Sequence, residues 1–267
     1  MPAIIIPSRW TRQPTGPVEI DWSHPLSLSI DQAFLPQNGL DVVTGKLLTV
    51  TGSKISPFSA GVGRAFGATV GVGSTDALRI ASPKLNLGPR CYLLQYLTKT
   101  DSGRFYSRAP SGSDVATERI SVQPTNIFRF ARRGASSDVG TSEWTTSMNV
   151  AHTAVVTNDY TTASNTKLFQ DGQLITRNGS GTTTTATQIA TDVLTLGNGG
   201  SGVFPIDGWM SLLVTWNRML LDNEALELTR NPWQIFKPLV RRIYFDVSFK
   251  AAWARNRNTL IGAGVSL

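Results

Sequence analysis

The sequence predicts an all-β fold built from many short strands. Charged residues make up only 16% of the 267 residues, while glycine (24) and proline (14) are plentiful and serine and threonine recur in runs. This composition favours short strands joined by turns and leaves little sequence for long helices. A chain of this length holds one large all-β domain or two ordinary ones, and length alone does not decide between them.

Short apolar segments bounded by turn residues indicate where the strands lie. Strands are expected at 92–97, 104–107, 127–131, 154–157, 166–170, 193–196 and 210–216. Asp171-Gly172 is a strong two-residue hairpin signal because both residue types tolerate positive φ, and Asp207-Gly208 is a second candidate. The polar segment RNGSGTTTTAT, residues 177–187, predicts an exposed loop or a weak edge strand.

One short helix is predicted in the segment LLDNEALELTRNP. Asp222 or Asn223 is available as its N-cap, and the acidic residues of the first turn suit the helix dipole. Leu221, Ala225 and Leu228 follow each other at spacings of four and three, so they share one face. A short helix packed on a sheet has this pattern.

The chain is expected to divide into a proline-rich arm at 1–44, a sandwich at 45–238 and a basic, aromatic strand and tail at 239–267. Prolines recur through the first 40 residues, which argues against any helix or central strand there. Trp10 and Trp22 lie in this arm. Their large apolar rings predict that the arm packs against the body or a partner.

The last part of the chain begins with RRIYFDVSF, whose period-two alternation predicts a strand. The following KAAWARNRNTLIGAGVSL is too apolar for a solvated tail, and it is expected to bury Trp253 and Leu260 against a partner. The formal net charge is +7, and six basic residues against one acidic residue follow Asn231. Aromatic residues do not interleave with the basic ones, so an acidic protein partner is favoured over nucleic acid.

Targeting signals and cysteine usage restrict the class of protein further. The opening MPAIIIPSRW has no basic start and no cleavage site, so no signal peptide is expected. No apolar stretch approaches the roughly 18 residues of a membrane span, and no membrane insertion is expected. The single cysteine, Cys91, rules out an internal disulfide. It lies in the apolar run CYLLQYL and is expected to be a buried small hydrophobe.

Three motifs between residues 144 and 238 occur in the order found in one family of folds. They are AHTAVVTND, KLFQDGQLI, and VLTLGNGG followed by FPIDGWMSLLVTWNRMLLDNEALEL. The chain resembles concanavalin A-like and laminin G-like domains, with Phe169 where that family usually has tyrosine, and GRAFGATVGVGSTDALRI resembles the family's first half more loosely. The resemblance implies a two-sheet antiparallel jelly-roll sandwich with one short helix and extended terminal arms.

The two ends of the chain carry a narrower resemblance. IDWSHPL, RNPWQIFKP and RRIYF are similar to segments of lectin-like proteins of tailed bacteriophages. This likeness implies a non-enzymatic virion protein, attached as a capsid decoration or tail accessory to the major capsid or tail proteins, and a homo-oligomer. The residues expected to bind these partners are Lys250, Trp253, Arg255, Arg257, Leu260, Trp10 and Trp22.

Two other functions stay open. The first is a host-recognition module that binds a surface glycan, for which the aromatic candidates are Trp144, Tyr160 and Trp209, although a tryptophan in a sandwich is more often a core residue. The second is a glycoside hydrolase, which needs two facing carboxylates. No cluster such as ExDxxE occurs. Glu118 and Glu143 are expected in polar loops, and Glu224 and Glu227 in the helix.

Nucleophilic catalysis and metal binding have little support in the sequence. His24 and His152 are the only histidines, neither has a serine or cysteine partner in a recognisable motif, and His152 is expected to be a packed strand residue. No cofactor is expected. Calcium is the one metal considered, because acidic loop residues sometimes supply its oxygen ligands. The candidates, each also a plain turn-former, are Asp101, Asp159, Asp171 and Asp207.

Overall fold

The structure is a computed structural model in which strands dominate. The residues that it describes are 13–14, 17–35, 39–51, 55–60, 63–68, 77–81, 88–100, 102–110, 116–133, 139–159, 165–179, 192–199 and 204–239. The one α-helix of these residues, α1 (Asp222–Arg230), precedes the last strand. The strands are β1 (Val18–Ile20), β2 (Ile30–Leu35), β3 (Leu40–Asp41), β4 (Thr49–Thr51), β5 (Ile55–Ala60), β6 (Gly63–Ala68), β7 (Ala77–Ala81), β8 (Arg90–Thr98), β9 (Gly103–Pro110), β10 (Glu118–Gln123), β11 (Ile127–Arg133), β12 (Val139–Thr145), β13 (His152–Asn158), β14 (Lys167–Gln170), β15 (Gln173–Ile175), β16 (Asp192–Leu196), β17 (Gly208–Trp216) and β18 (Phe236–Pro238).

Two antiparallel sheets pack face to face. The outer sheet has seven strands in the order β12-β11-β10-β9-β16-β7-β4. The central sheet has nine, with β15-β14-β13-β8-β17-β2-β3 in one path and β6 and β5 added beside β17. A third, two-stranded sheet pairs β1 with β18. The predicted all-β sandwich of antiparallel sheets is therefore confirmed.

An apolar core fills the space between the outer and central sheets. Alternate residues of each strand point into it, as period-two side-chain geometry requires. Aromatic rings make tilted contacts there, for example Tyr96 with Phe105 at a centroid distance of 4.6 Å and Tyr92 with Phe130 at 5.4 Å. Trp144, one of the largest of these side chains, is fully buried. These contacts fix the position of one sheet on the other.

A second apolar cluster covers the opposite face of the central sheet. It joins Trp216 and Leu93 of that sheet with Leu228 of α1 and Trp233 and Phe236 near the β1–β18 pair. Because both faces of the central sheet are covered, all nine residues of β17 are buried. This explains why β17, GWMSLLVTW, is largely apolar on both faces and does not alternate between apolar and polar residues.

The predicted strands within the described residues agree with the observed ones, and the strand predicted in RRIYFDVSF lies outside the described residues. All seven predicted segments lie within or largely within strands, namely β8, β9, β11, β13, β14, β16 and β17. The Asp171-Gly172 hairpin is also confirmed, since these two residues connect β14 to β15 with φ values of +51° and +83°. Asp207-Gly208 is not a hairpin, because Gly208 is the first residue of β17. A Cβ there would lie 1.9 Å from the carbonyl oxygen of Leu97, so the close approach of β8 requires glycine.

The proline-rich segment departs from the prediction. The expectation that no central strand runs through it is wrong for β2, which lies between β17 and β3 in the central sheet. The prolines flank the strands instead of interrupting them: Pro17 precedes β1 and Pro25 begins a 3-10 turn. Trp22 is 58% exposed, so it does not pack against the body.

Helix α1 forms where predicted but is capped differently. Neither Asp222 nor Asn223 is the N-cap; that position is Leu221, which has no polar side chain. Glu224 instead accepts a hydrogen bond from the Leu221 backbone N–H at 2.8 Å and pairs with Arg218 through both carboxylate oxygens. Ala225 and Leu228 are buried as predicted, whereas Leu221 is exposed. In the described part of the chain, no helix has the length and hydropathy needed to cross a membrane.

Candidate functional site

The outward face of the outer sheet carries an unusual row of polar residues. Strand pairing aligns Arg79 of β7 with Thr195 of β16, then Ser107 of β9, Arg119 of β10 and Ala131 of β11. With adjacent strands about 4.8 Å apart, the two arginine positions are separated by roughly 14 Å. We call this row and the adjacent Arg129 the arginine face. It has a floor of small side chains between two cationic positions.

The small side chains of the floor are buried and polar. Ser107 is 0% exposed and Thr195 is 1% exposed, and neither hydroxyl oxygen has a hydrogen-bond partner among the described residues. A buried hydroxyl without a partner costs free energy, about 1 to 3 kcal/mol. Such groups therefore stand out as places where a ligand hydroxyl would be favourable.

Arg119 is the most distinctive member of the arginine face. No hydrogen bond or ion pair to the Arg119 side chain occurs within the described residues, and its Nε is buried. Burial lowers the pKa of Arg119, and the positive charge of Arg129 lowers it further. Both effects disfavour the charged guanidinium. The attraction of a negative group placed here would offset both effects.

Arg129, in contrast, already has a partner. Its Nε donates a hydrogen bond to Glu143 Oε1 at 2.6 Å on the neighbouring strand. Its side chain is 27% exposed and that of Glu143 is 31% exposed. Of these two neighbouring arginines, only Arg119 lacks a described carboxylate partner.

A different group of charges lies inside the sandwich, at one end of the inter-sheet core. We call it the internal ion cluster, and it comprises Arg90, Glu118, Arg132, Tyr106 and Asp31. Glu118 Oε1 lies 3.1 Å from Arg132 Nε, and Glu118 Oε2 accepts a hydrogen bond from the Tyr106 hydroxyl at 3.0 Å. Arg90, with 0% side-chain exposure, pairs with Asp31. Arg90, Glu118, Arg132 and Tyr106 are buried and Asp31 is 22% exposed, so the cluster contributes mainly to structure.

The five glutamates do not form a hydrolytic pair within the described residues. Two predicted locations were wrong, since Glu118 begins β10 and points into the core while Glu143 lies within β12. Glu118 is held by arginine and tyrosine, Glu143 by Arg129, and Glu224 by Arg218. None of these carboxylates faces another across a groove.

The calcium candidates are not brought together. Asp171 Oδ2 lies 2.6 Å from His152 Nδ1, and Asp171 Oδ1 accepts the Thr153 backbone N–H. Asp159 accepts a hydrogen bond from the Asn165 side chain at 2.8 Å. Within the described ranges no group of three or more potential metal ligands occurs; Asp207 belongs to none, and Asp101 lies outside these ranges. Among the described residues, the calcium candidates therefore do not form a set of ligands for one ion.

The aromatic sugar-binding candidates are corrected by burial. Trp144 is 0% exposed and Trp209 is 5% exposed, so neither ring can stack on a sugar. Tyr160 lies outside the described residues. The exposed aromatic rings of the described chain are Trp22 and Phe204, and the Arg104 guanidinium lies 3.9 Å from the centroid of the Phe204 ring.

The predicted partner-binding residues lie mostly beyond the described part of the chain. This holds for Lys250, Trp253, Arg255, Arg257, Leu260 and Trp10. Trp22 is described and exposed. Attachment to capsid or tail proteins, location in a virion, and the homo-oligomer stay predictions.

The sequence contained a signal for the arginine face that was not recognised. In TERISVQ, Ile120 and Val122 point into the core, so Arg119 and Ser121 must lie on the opposite face. Strand order could not be read from the sequence. Arg79 and Arg119 come from strands that are not consecutive, and only the pairing through β16 and β9 places them in one row.

Comparisons with known proteins give the fold. No protein-family model and no curated protein matches the sequence. The binding domain of botulinum neurotoxin DC in complex with SialylT is similar at 12% identity and a TM-score of 0.54, covering 76% of this chain and 52% of that one. Trypanosoma rangeli sialidase is similar at 14% identity and a TM-score of 0.51, covering 75% of this chain and 32% of that one. The CBM40 of Ruminococcus gnavus IT-sialidase bound to alpha2,3 sialyllactose aligns at 17% identity and a TM-score of 0.41, covering 53% of this chain and 82% of that one. At these identities the two likenesses with TM-scores above 0.5 show the fold alone.

Proposed function

We propose that this protein is a carbohydrate-binding module that takes an acidic glycan on the arginine face. The observation that carries the proposal is Arg119, a partly buried guanidinium that lacks a partner among the described residues and lies close to Arg129. A guanidinium binds a carboxylate through two parallel hydrogen bonds, which gives both affinity and orientation. The acidic group of the sugar would lie on Arg119.

The floor of the arginine face suits the rest of a sugar. Ser107 and Thr195 hold hydroxyl groups that can donate to and accept from sugar hydroxyls. They are buried, so a ligand reaches them only when the flanking side chains move aside. Because Ser107 pairs directly with Arg119, a sugar whose carboxylate lies on Arg119 would hold its hydroxyl groups close to this floor.

Two further facts support a binding role. A domain of similar fold has been solved in complex with SialylT. The chain has a formal net charge of +7, which attracts acidic ligands at low salt. A virion attachment role stays a prediction beside this one. None of the similar structures reported above is described as a virion protein.

The proposal is tested by calorimetric titration of the full chain with α2,3-sialyllactose and with lactose, which lacks the carboxylate. We expect binding of the acidic sugar that weakens at high salt, and no measurable binding of lactose. Arg119→Gln should weaken binding at least tenfold, a loss of about 1.4 kcal/mol. Arg230→Gln on α1, an exposed arginine remote from the arginine face, is the control of equal charge change and should bind like the wild type.

Two results contradict the proposal. Equal affinity for lactose and sialyllactose would show that the acidic group is not recognised. An Arg119→Gln variant that binds as tightly as the wild type would place the site elsewhere. If neither sugar binds, an array of other acidic glycans, including sulfated and uronic acid sugars, must yield a ligand whose binding depends on Arg119, or the proposal fails.

A further inference from the structure

Three polar residues meet at the opposite end of the sandwich from the internal ion cluster: two are five residues apart, and the third comes from the following hairpin. His152 is the first residue of β13, Asp171 is the first residue of the β14–β15 turn, and Ser147 lies in the loop after β12. His152 Nδ1 lies 2.6 Å from Asp171 Oδ2. His152 Nε2 lies 3.0 Å from Ser147 Oγ. The imidazole therefore bridges a carboxylate and a hydroxyl, one on each ring nitrogen.

The carboxylate determines which ring nitrogen carries the proton. Because Asp171 has only acceptors when ionised, Nδ1 must donate to it, which leaves the Nε2 lone pair facing the Ser147 hydroxyl. The Ser147 hydroxyl then donates to Nε2. The Ser147 carbonyl oxygen lies 3.2 Å from Nε2 and would accept its proton in the charged imidazolium. Both protonation states of the ring are thus accommodated.

Surrounding groups hold this arrangement in place. Asp171 Oδ1 accepts the Thr153 backbone N–H at 2.8 Å, and the Asp171 N–H donates to the Thr153 carbonyl at 2.9 Å. The imidazole also packs against the Tyr96 ring at a centroid distance of 5.6 Å. The Gln170 side-chain amide lies 2.9 Å from Nδ1, and turning this amide lets its oxygen share the Nδ1 proton while its NH₂ donates to the Tyr96 hydroxyl.

The three side chains differ in solvent exposure: the imidazole is buried, whereas the hydroxyl and the carboxylate are exposed. The His152 side chain is 4% exposed and the Asp171 side chain 48% exposed, while Ser147 is exposed. We propose that Ser147, His152 and Asp171 form an acyl-transfer site, with Ser147 as nucleophile, His152 as general base and acid, and Asp171 as the positioning residue. A substrate can reach the nucleophile while the base stays fixed by packing.

The reaction is that of a serine esterase. Ser147 Oγ attacks the carbonyl carbon of a carboxylic ester, and its proton moves to His152 Nε2. When the C–O bond to the alcohol breaks, His152 returns this proton to the leaving alcohol, and an acyl ester on Ser147 remains. Water then attacks the acyl carbon, giving one proton to His152. The carboxylic acid leaves as Ser147 recovers its proton.

The loop around Ser147 indicates the class of substrate. The backbone N–H groups of Ser147 and Met148 donate to no other described residue, so they remain available to a developing oxyanion. The loop is exposed, and its apolar side chain Val150 is 49% exposed. An exposed nucleophile accepts small acyl groups, such as acetyl esters, more readily than long chains that need an enclosed groove. This site does not depend on the glycan proposal, because Arg119 takes no part in it.

A fluorophosphonate probe tests the nucleophile directly. Incubated with the full chain, it should add one phosphonyl group, seen by intact mass, at a peptide containing Ser147. Ser147→Ala should abolish the labelling. Ser102→Ala, at another exposed serine, is the matched control and should label like the wild type. Labelling that is absent in the wild type, or unchanged in Ser147→Ala, overturns the proposal.

Hydrolysis of p-nitrophenyl acetate tests the roles of the other two residues. Asp171→Asn keeps the turn, since asparagine also tolerates positive φ, but its NH₂ group faces Nδ1 and reverses the protonation of the ring. We expect kcat to fall about a hundredfold or more with little change in KM. A purely structural role would instead leave kcat unchanged while lowering thermal stability. Equal kcat in wild type and Asp171→Asn, or full activity in Ser147→Ala, would refute the assignment.

Discussion

The internal ion cluster and the arginine face both contain arginines of the outer sheet, Arg132 on its inner face and Arg119 on its outward face. Arg90 of the central sheet completes the internal ion cluster. Inside, Arg132 is paired with Glu118, and Arg90 is paired with Asp31. Outside, Arg119 has no described partner and lies close to another arginine. Both arrangements remove guanidinium groups from water, at least in part. Only the internal one supplies the compensating negative charges.

This difference separates structural charges from functional ones. A buried charge persists when its partner is also buried, because the pair offsets the cost of desolvation. An unpartnered, partly buried charge costs free energy in the folded protein, and a ligand that supplies the missing charge recovers it. The comparison therefore predicts large stability effects from the internal ion cluster and small ones from the arginine face.

The largest effect is expected from Glu118→Gln. This change leaves Arg132 and Arg90 buried without the carboxylate between them, and breaking a buried pair costs about 3 to 5 kcal/mol. The free energy of unfolding, measured by urea denaturation, should fall by this amount. The matched control is Glu143→Gln, whose partner Arg129 is also on the outer sheet but is 27% exposed, and it should cost less than about 1 kcal/mol.

A double variant sharpens the same test. Adding Arg132→Met to Glu118→Gln removes one of the stranded charges, so the double variant should be more stable than Glu118→Gln alone. If both single glutamate variants lose the same stability, the internal ion cluster is no different from a surface ion pair, and the comparison fails.

The pH dependence of stability should have opposite signs for the two carboxylates of the internal ion cluster. Burial raises the pKa of Asp31 from 3.8, and the opposing charge of Arg90 does not cancel this. Burial also opposes ionisation of Glu118, yet Arg132 and then Arg90 lower its pKa below 4.5. The stability that Glu118 contributes is present above its unfolded pKa and is lost as pH falls through the folded value. The stability that Asp31 contributes is present at low pH and is lost as pH rises through its folded value.

Urea denaturation between about pH 3 and pH 6 measures both effects. The stability difference between wild type and Glu118→Gln should shrink towards low pH. As the pH falls, the free energy of unfolding of the wild type should rise relative to that of Asp31→Asn. Parallel profiles for the two variants would contradict the opposite charge environments of these groups.

The smallest effect is expected from Arg119→Gln without ligand. Removing this charge relieves repulsion from Arg129 and breaks no described ion pair, so the free energy of unfolding should change by less than about 0.5 kcal/mol or rise slightly. Thermal unfolding of the wild type and of Arg119→Gln, each with and without an acidic glycan, measures this change in stability. A loss of several kcal/mol would mean that Arg119 has a structural role and would remove the main argument for the arginine face.

Much of the fold could be predicted because strands and turns are local. Alternation, turn residues and the Asp171-Gly172 signal placed β14, β15 and the long strands correctly. Two errors had different tertiary causes. Pro25 and Pro36 suggested an extended arm, because local sequence does not reveal that β2 is inserted beside the distant strand β17. The polar surroundings of Glu118 suggested a loop, because local sequence does not reveal that Arg132 of β11 lies opposite Glu118 inside the sandwich.

The candidate sites depended on such distant neighbours even more strongly. Arg79 and Arg119 belong to one row only through the intervening strands β16 and β9. Asp171 lies beside His152 because β13 pairs with β14, which places the hairpin turn beside the first residue of β13. Ser147, five residues before His152, is brought to the ring by the loop between β12 and β13. No spacing motif in the sequence encodes either arrangement.

The sequence by itself determined the all-β class, the position of most strands, one hairpin turn and the short helix, since period-two patterns, positive-φ residues and helix spacing act within a few residues. The tertiary structure alone decided which charges were paired, which tryptophans were buried and which polar side chains met. These outcomes depend on strand order and sheet packing. Both are set by the free energy of enclosing two apolar cores, to which residues from the whole chain contribute.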